Sequence, residues 1–293
     1  MIRETFTAVV NPAAGSGAAA ATMIGLARAL RETGARVQVT YSRGLAHATE
    51  LAAAAAATDG ETVLAVGGDG IVGAVAAGLL GTQAELGVVP AGRGNDLARA
   101  VRIPRDDVAE FAAALRESPS RPVDVAMAGE RVVIGSVCAG LDAAANDAAN
   151  RWRLPRKPIA YQIAAVGVLA RWKPITYELT VDGVSEQLRG NTVVVANCKW
   201  YGGALQIAPS AVLDDGLLDL VTIGDLNRRR LVPVLTAMRR GAHVTMPGIT
   251  SRPIREVTIA TDRPTPFYAD GERLPSGPLT VRVRPSALRL IGA

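Results

Sequence analysis

The sequence predicts an α/β domain, a parallel sheet covered by helices, followed by an antiparallel β-sandwich domain. Two patterns carry that prediction. Over the first 123 residues short β-rich runs alternate with Ala-rich helical ones, and from Asp124 onward β-runs follow one another without regular intervening helices. Length is a third observation: 293 residues exceed what one hydrophobic core usually serves, so two domains are expected.

In the first part TFTAVV leads into a helical pattern over Ala18 to Thr33, and RVQVTY into Ala46 to Ala57. TVLAV then leads into Ile71 to Leu80, and LGVVP into Asn95 to Ala100. Strand and helix in alternation build a parallel sheet. Glycines follow the first strand at Gly15 and Gly17 and the third at Gly67, Gly68 and Gly70. Ligands of such sheets bind at the carboxyl ends of the strands.

The second part reads VDVAMA, RVVIGSVCAG, YELTVDG, TVVVANC, LDLVTIG, EVTIATD, PFYADGE and LTVRVRP, the pattern of a sandwich or barrel. Two helical insertions are expected, Ile159 to Ala170 and Arg228 to Arg240. The last residues, SALRLIGA, are expected to return as a strand to the first domain. The expected division is therefore 1–123 completed by 285–293, with 124–284 as the second domain.

An apolar fraction of 49% with 20% charged residues excludes a disordered chain. The net charge is +5 and almost all arginine, since lysine occurs only at Lys157, Lys173 and Lys199. That charge leaves nucleic acid, anionic lipid and phosphate open as partners. Cys138 and Cys198 lack CxxC spacing, and His47 and His243 stand apart, which argues against a disulfide framework and a zinc site. MIRETFTAVV lacks the apolar core of a signal peptide, and no run reaches the length of a membrane span. The expectation is a cytoplasmic chain whose membrane contact, if any, is peripheral.

The stretch Gly68 to Gly73, GDGIVG, fits GxGxxG between a strand and a helix. A dinucleotide site would also want an acidic residue ending the next strand, and LGVVP runs instead into PAGRG. A Walker loop needs a Gly-Lys pair, which the chain lacks. What remains is three glycine turns, NPAAG at Asn11 to Gly15, GGDG at Gly67 to Gly70 and PAGRGND at Pro90 to Asp96. Each follows a strand of one parallel sheet, so all three should open on one edge, where bare backbone N–H groups and helix N-termini can hold phosphate.

Those loops, in that order, resemble the diacylglycerol kinase catalytic domain family, which includes sphingosine and ceramide kinases and bacterial lipid kinases. The family pattern NPxxG, GGDGTxxEV and PxGTxND(F/L)AR stands here as NPAAG, GGDGIVGAV and PAGRGNDLAR. The likeness continues through Val123-Asp124-Val125, Asp214 to Asp219 and Asp270-Gly271-Glu272, and so spans nearly the whole chain. It implies an α/β domain like that of NAD kinases followed by a β-sandwich, and transfer of the γ-phosphate of ATP to a lipid hydroxyl, diacylglycerol to phosphatidic acid first among them. ATP and Mg²⁺ are the implied cofactors. Ile71 replaces the family threonine, Gly73 and Ala74 replace an Asn and a Glu, and Arg93 replaces the threonine of PxGT, where its guanidinium can bond phosphate.

The resemblance carries the general base onto Glu272 and a role near Mg-ATP onto Asp69. A solvated Glu on a type I′ turn and an N-cap on the following helix are the plain structural alternatives. Implied nucleotide contacts are Asn11, Gly15, Thr40, Gly67, Gly68, Gly70, Arg93 and Asn95, the Asn95-Asp96 pair being also able to cap the next helix. Metal is implied at the Asp215 side chain with the carbonyls of Val212 and Leu217, oxygens suited to a hard cation, and Asp96 and Asp124 join Asp69 in the surrounding network. The plain alternative at Asp215 is a β-turn.

Arg151 to Lys157 and Arg171-Trp172-Lys173 bracket the apolar stretch Ile159 to Ala170, a composition suited to interfacial contact or to a core helix with solvated ends. Arg228 to Arg230 and Arg239-Arg240 flank the second helix. The expected partner is lipid at the inner membrane face, without nucleic acid, and a β-edge homodimer is open. A kinase of soluble substrates related to NAD kinases, and a non-catalytic nucleotide-binding regulator, are the alternative functions.

Overall fold

The computed structural model describes residues 2–58, 61–92, 94–101, 104, 106–151 and 167–293, without the side chains of 16 and 149–151. Arg93 and most of the apolar stretch expected at Ile159 to Ala170, with the basic residues before it, lie outside the described residues. The chain divides into two compact units. One comprises Met1–Val125, Leu213–Gly216 and Arg284–Ala293, the other Ala126–Val212 and Leu217–Val283.

Among the described residues the first unit holds five parallel strands in the order β2-β1-β3-β4-β17: β1 Thr5–Val10, β2 Arg36–Tyr41, β3 Thr62–Gly67, β4 Glu85–Pro90 and the end of β17, Leu279–Ile291. Register runs Phe6 to Val37 and Thr62, Val63 to Leu86, and Leu86 to Leu290. The C-terminal strand thus closes this sheet. Helices α1 Ala18–Glu32, α2 Leu45–Ala56, α3 Asp69–Leu79, α4 Asp96–Ala100 and α5 Val108–Glu117 accompany it, α1 packing on α5 and α2 on α3. Strand β3 is buried along its whole length, as a central parallel strand covered on both faces must be. A Cβ at Gly78 would meet the Cβ of Ala52 at 2.8 Å, so the Ala-rich face of α2 owes its close approach to α3 to missing side-chain volume.

The second unit is antiparallel and centres on β9, Val184–Ala196, which pairs with β7 Ser136–Gly140, β8 Ile175–Val181 and β12 Leu218–Gly224. Outward lie β13 Ile249–Ile254 on β12, β14 Glu256–Thr261 on β8, and the hairpin β15 Phe267–Ala269 with β16 Glu272–Leu274 on β7. Successive side chains of a strand point to opposite faces. Val193 and Val195 accordingly enter one core with Tyr177 and Phe267, while Val194 and Ala196 enter another with Val221. Helix α7, Arg228–Met238, covers that second core with Leu231, Val234 and Met238. Each such buried aliphatic is worth on the order of 2 kcal/mol.

Several features depart from the sequence pattern. The run RVVIGSVCAG is two strands, β6 Arg131–Val133 and β7, because the Asp270 carboxylate takes the N–H groups of Ile134 and Gly135 between them and of Ser136 at the start of β7. Helix α5 and helix α6, Leu141–Arg151, are additional. Asp107 caps α5 by accepting the N–H of Glu110 at 2.9 Å. Among the described residues no helix is long and apolar enough to cross a membrane.

Candidate active site

In the first unit the three glycine loops converge, and the convergence rests on absent side chains. Asn11 accepts the N–H of Ala13 with Oδ1 at 3.1 Å, the hydrogen bond that turns the chain out of β1, and its own N–H bonds Val66 of β3. Gly15 then takes φ +58°, and a Cβ there would lie 2.6 Å from the carbonyl oxygen of Ala91 in the third loop. At Gly67, φ +155°, a Cβ would lie 2.5 Å from the Ile71 side chain and 3.5 Å from the Cβ atoms of Ala14 and Asn11. Between the second and third loops the approach is closer still, since a Cβ on Gly92 would collide with the Cα of Gly68. The N–H of Ala91 bonds Gly67 O at 2.8 Å and fixes that approach.

Asn95 sits at φ +52°, with its amide spent on Gly92: Oδ1 accepts the Gly92 N–H and Nδ2 donates to the Gly92 oxygen, both at 2.9 Å. It closes the loop and makes no cap bond to α4. Asp69 makes that bond instead, its Oδ1 accepting the Asp96 N–H at 2.7 Å. Its Oδ2 faces Gly94, where a Cβ would stand 2.5 Å away. Burial pushes the Asp69 carboxyl above the usual carboxylate range, and the backbone N–H groups of Asp96, Leu97 and Asn95 draw it partly back. Asp69 therefore opens α3 at its first position rather than capping it.

Elsewhere in that unit the expected residues are more ordinary. Gly70 is half-buried in the first turn of α3. Thr40 donates its hydroxyl to Ala8 O at 3.0 Å across β1 and β2. Asp124 is 2% exposed, and its carboxylate accepts the N–H of Gly216 at 2.7 Å and of Ser286 at 2.8 Å, drawing segments 213–216 and 284–293 onto β5, Ser120–Ala128. Asp215 is exposed beside Gly216, which turns at φ +74°. The residues directly before and after segment 213–216 belong to the second unit, Val212 being exposed and Leu217 half-buried. Among the described residues no three His, Cys, Asp or Glu side chains gather at one point. The expected metal set asks for one carboxylate and two carbonyls, all hard oxygen donors, and its chemistry fits Mg²⁺.

In the second unit Glu272 begins β16 and is exposed, facing Ala269 across a two-residue turn of Asp270 and Gly271 at φ +48° and +81°. Two positive φ values make the primed hairpin turn that Asp-Gly favours. Asp270 fixes the hairpin by accepting the N–H groups of Ile134, Gly135 and Ser136 at 2.9, 3.0 and 3.1 Å. Sequence reasoning missed this anchor and Asp142, a half-buried carboxyl shortly after Ser136 in the chain. Asp142 accepts the Tyr201 hydroxyl at 3.0 Å, and burial pushes it up to about 6 despite that bond. No signal in the sequence marked it, because its partner Tyr201 lies 59 residues further on and only the fold brings the two together.

Comparison with known proteins matches residues 5–128 to the model of the diacylglycerol kinase catalytic domain, and 135–292 to the YegS C-terminal NAD kinase beta sandwich-like domain. The diacylglycerol kinase of Mycobacterium tuberculosis strain H37Rv is 33% identical over 97% of this chain and 94% of that protein. That of Bacillus subtilis strain 168 is 28% identical over 77% and 75%. A solved chain from Bacillus anthracis str. Sterne superposes with a TM-score of 0.82 at 21% identity, covering 99% of this chain and 95% of that one.

Proposed function

The chain belongs to the diacylglycerol kinase catalytic domain family, and on that premise we propose that the loops of its first unit hold ATP while Glu272 takes the proton of a lipid hydroxyl. It is a lipid kinase, and diacylglycerol is the acceptor this reading names. The observation that carries the nucleotide half is the approach of Gly68 and Gly92. No side chain fits there, and what the loops present is backbone. Bare N–H groups beside the start of α3 suit phosphate oxygens. In this reading Gly15, Gly67, Gly68 and Gly70 line the phosphates, with Asn11 and Asn95 shaping their loops and Thr40 and Arg93 as further contacts.

Phosphoryl transfer asks a protein for position, charge neutralisation and a group for the acceptor proton. The hydroxyl oxygen bonds to the γ-phosphorus, the bond from that phosphorus to the ADP oxygen breaks, and Glu272 receives the proton. An exposed carboxylate on a pinned hairpin suits the last role, since Asp270 limits its movement. Asp69 is the half-buried carboxyl that this reading sets beside the nucleotide, and its raised proton affinity suits a group held against its own solvation. A structural Mg²⁺ would be held by Asp215 and the carbonyls of Val212 and Leu217, with Asp69, Asp96 and Asp124 assigned to the network around it. The lipid is met at the inner membrane face from the cytoplasm, through peripheral contact, and the outer edge of β2 is the place a homodimer would use.

Labelled ATP incubated with diacylglycerol in detergent micelles tests the reading. Wild type should yield labelled phosphatidic acid, and Glu272→Gln should lower the rate 10²- to 10⁴-fold while ATP still binds. Label appearing only on a soluble nucleotide, or on nothing, would overturn it.

A further inference from the structure

The second unit also carries a cavity of about 490 Å³ at the start of α7. Asn227 caps that helix by accepting the N–H of Arg230 at 3.1 Å, and the next two residues, Arg228 and Arg229, are exposed and line the cavity. Neither has an ion-pair partner among the described residues. The carboxylate in the wall, Asp225, is already held by Arg189 at 2.9 Å. An eleven-residue helix presents the positive end of its dipole here, beside two uncommitted guanidinium groups.

A buried polar residue in the same wall adds a second requirement. Asn191 is 1% exposed, and its Nδ2 donates to Gly224 O at 2.6 Å and to Leu226 O at 3.0 Å. Those two bonds fix the amide, because turning it over would set an oxygen against two carbonyls. Its Oδ1 is left without a partner among the described residues, and so is Nε1 of Trp172, which lines the cavity too. Buried groups left unpaired are costly, and here one is an acceptor and one a donor. A second cavity of about 420 Å³ shares Trp172 and is lined by Arg171, Lys173 and Arg263, the last lying over the Trp172 ring at 5.9 Å.

We infer that this region of the second unit is a binding site for a phosphate ester carrying hydroxyl groups. The phosphate is met by Arg228, Arg229 and the start of α7, a hydroxyl donates to Asn191, and an ester oxygen accepts from Trp172. That chemistry belongs equally to a phosphoglycerol lipid headgroup and to a soluble polyol phosphate. The site does not depend on the nucleotide loops or on Glu272.

The test uses the full chain without ATP, so its failure is separate from failure of phosphoryl transfer. Binding of glycerol 3-phosphate and of inorganic phosphate is measured by calorimetry, and binding to phosphatidylglycerol-containing against pure phosphatidylcholine vesicles by sedimentation. The double variant Arg228→Glu with Arg229→Glu is compared with Arg239→Glu with Arg240→Glu, an equal charge change at the far end of the same helix. Binding in at least one arm should fall roughly tenfold or more in the first variant and less than about twofold in the second. Binding to vesicles alone assigns the site to a lipid headgroup, and binding of glycerol 3-phosphate alone to a soluble ester. Equal losses in both variants, no binding in either arm, or equal affinity for glycerol 3-phosphate and inorganic phosphate without vesicle binding would overturn the inference.

Discussion

The carboxylate of Asp69, on the loop after β3, accepts the backbone N–H of Asp96 at 2.7 Å, so an acid from one glycine loop caps the helix that the next loop opens. Two loops are thereby held in register by a group whose ionised form is disfavoured by burial. Asn would keep an oxygen for that N–H without the charge. The role proposed above for this carboxylate beside the nucleotide is therefore separable from its capping bond by substitution.

Replacing Asp69 with Asn should separate stability from turnover. With its folded pKa raised, the native carboxyl binds more protons than the unfolded one between the two values, so its contribution to stability falls as pH rises through that window. Asp69→Asn should melt at or above the wild-type temperature at pH 7.5, with the difference shrinking toward pH 4, while phosphoryl transfer drops at least about 100-fold. Calorimetric melts at several pH values with a parallel kinase assay decide it, and a variant that is less stable and still active would sink the assignment.

Two glycine substitutions should act in opposite directions. Gly92→Ala places a methyl against the Cα of Gly68, and neither backbone can yield without parting the loops. It should cost about 2 kcal/mol or more and abolish measurable ATP binding. Gly25 lies exposed in α1 with nothing near its missing Cβ, so Gly25→Ala should stabilise by up to about 1 kcal/mol. Urea midpoints for both, with ATP titration of each, check the contrast.

The three loops were legible because phosphate-type turns concentrate glycine, asparagine and aspartate at strand ends, and the buried strands because Val and Ala runs have no other stable place. Helix α6 was not legible, since the apolar positions of LDAAANDAANR after Leu141 are all alanine, too small to mark a core-facing side against its Asn and Asp residues. Strand β13, ITSRPI, was hidden for the same kind of reason, its middle positions being largely exposed. Helix α5 was readable in principle from Asp107 and Glu110 with Phe111, Ala112 and Leu115 on one face. The Asp-Gly turn before Glu272 announced a hairpin, yet the use of Asp270 depends on Ile134 to Ser136, far away along the chain and brought near by the pairing of β15 with β7.

Asp270 should matter to stability more than an exposed turn residue would. Asp270→Ala orphans three N–H groups and puts a residue with a Cβ but no polar side chain at φ +48°, which should cost about 3 kcal/mol or more. Asp270→Asn tolerates the backbone angle and keeps one acceptor oxygen, so it should lose roughly half as much. Denaturant midpoints rank the variants, and hydrogen exchange should show the Gly135 and Ser136 amides losing protection in the alanine variant first. Equal, small losses in both would mean that water replaces the carboxylate.

Asp142 gives the second unit a pH dependence with the sign already seen at Asp69. Burial lifts its carboxyl to about 6, and the Tyr201 hydroxyl, 3.0 Å away, holds it from rising further. The folded chain therefore keeps the proton longer than the unfolded one, and stability falls as pH rises from about 4 through 6. A shift of that size is worth on the order of 3 kcal/mol above the window. Asp142→Asn should abolish that slope and raise stability at pH 7.5, whereas Tyr201→Phe should move the wild-type slope to higher pH by removing a hydrogen bond to the ionised form. Urea denaturation across pH 4 to 8 measures both, and parallel curves for wild type and Asp142→Asn would mean that the carboxyl is ionised throughout.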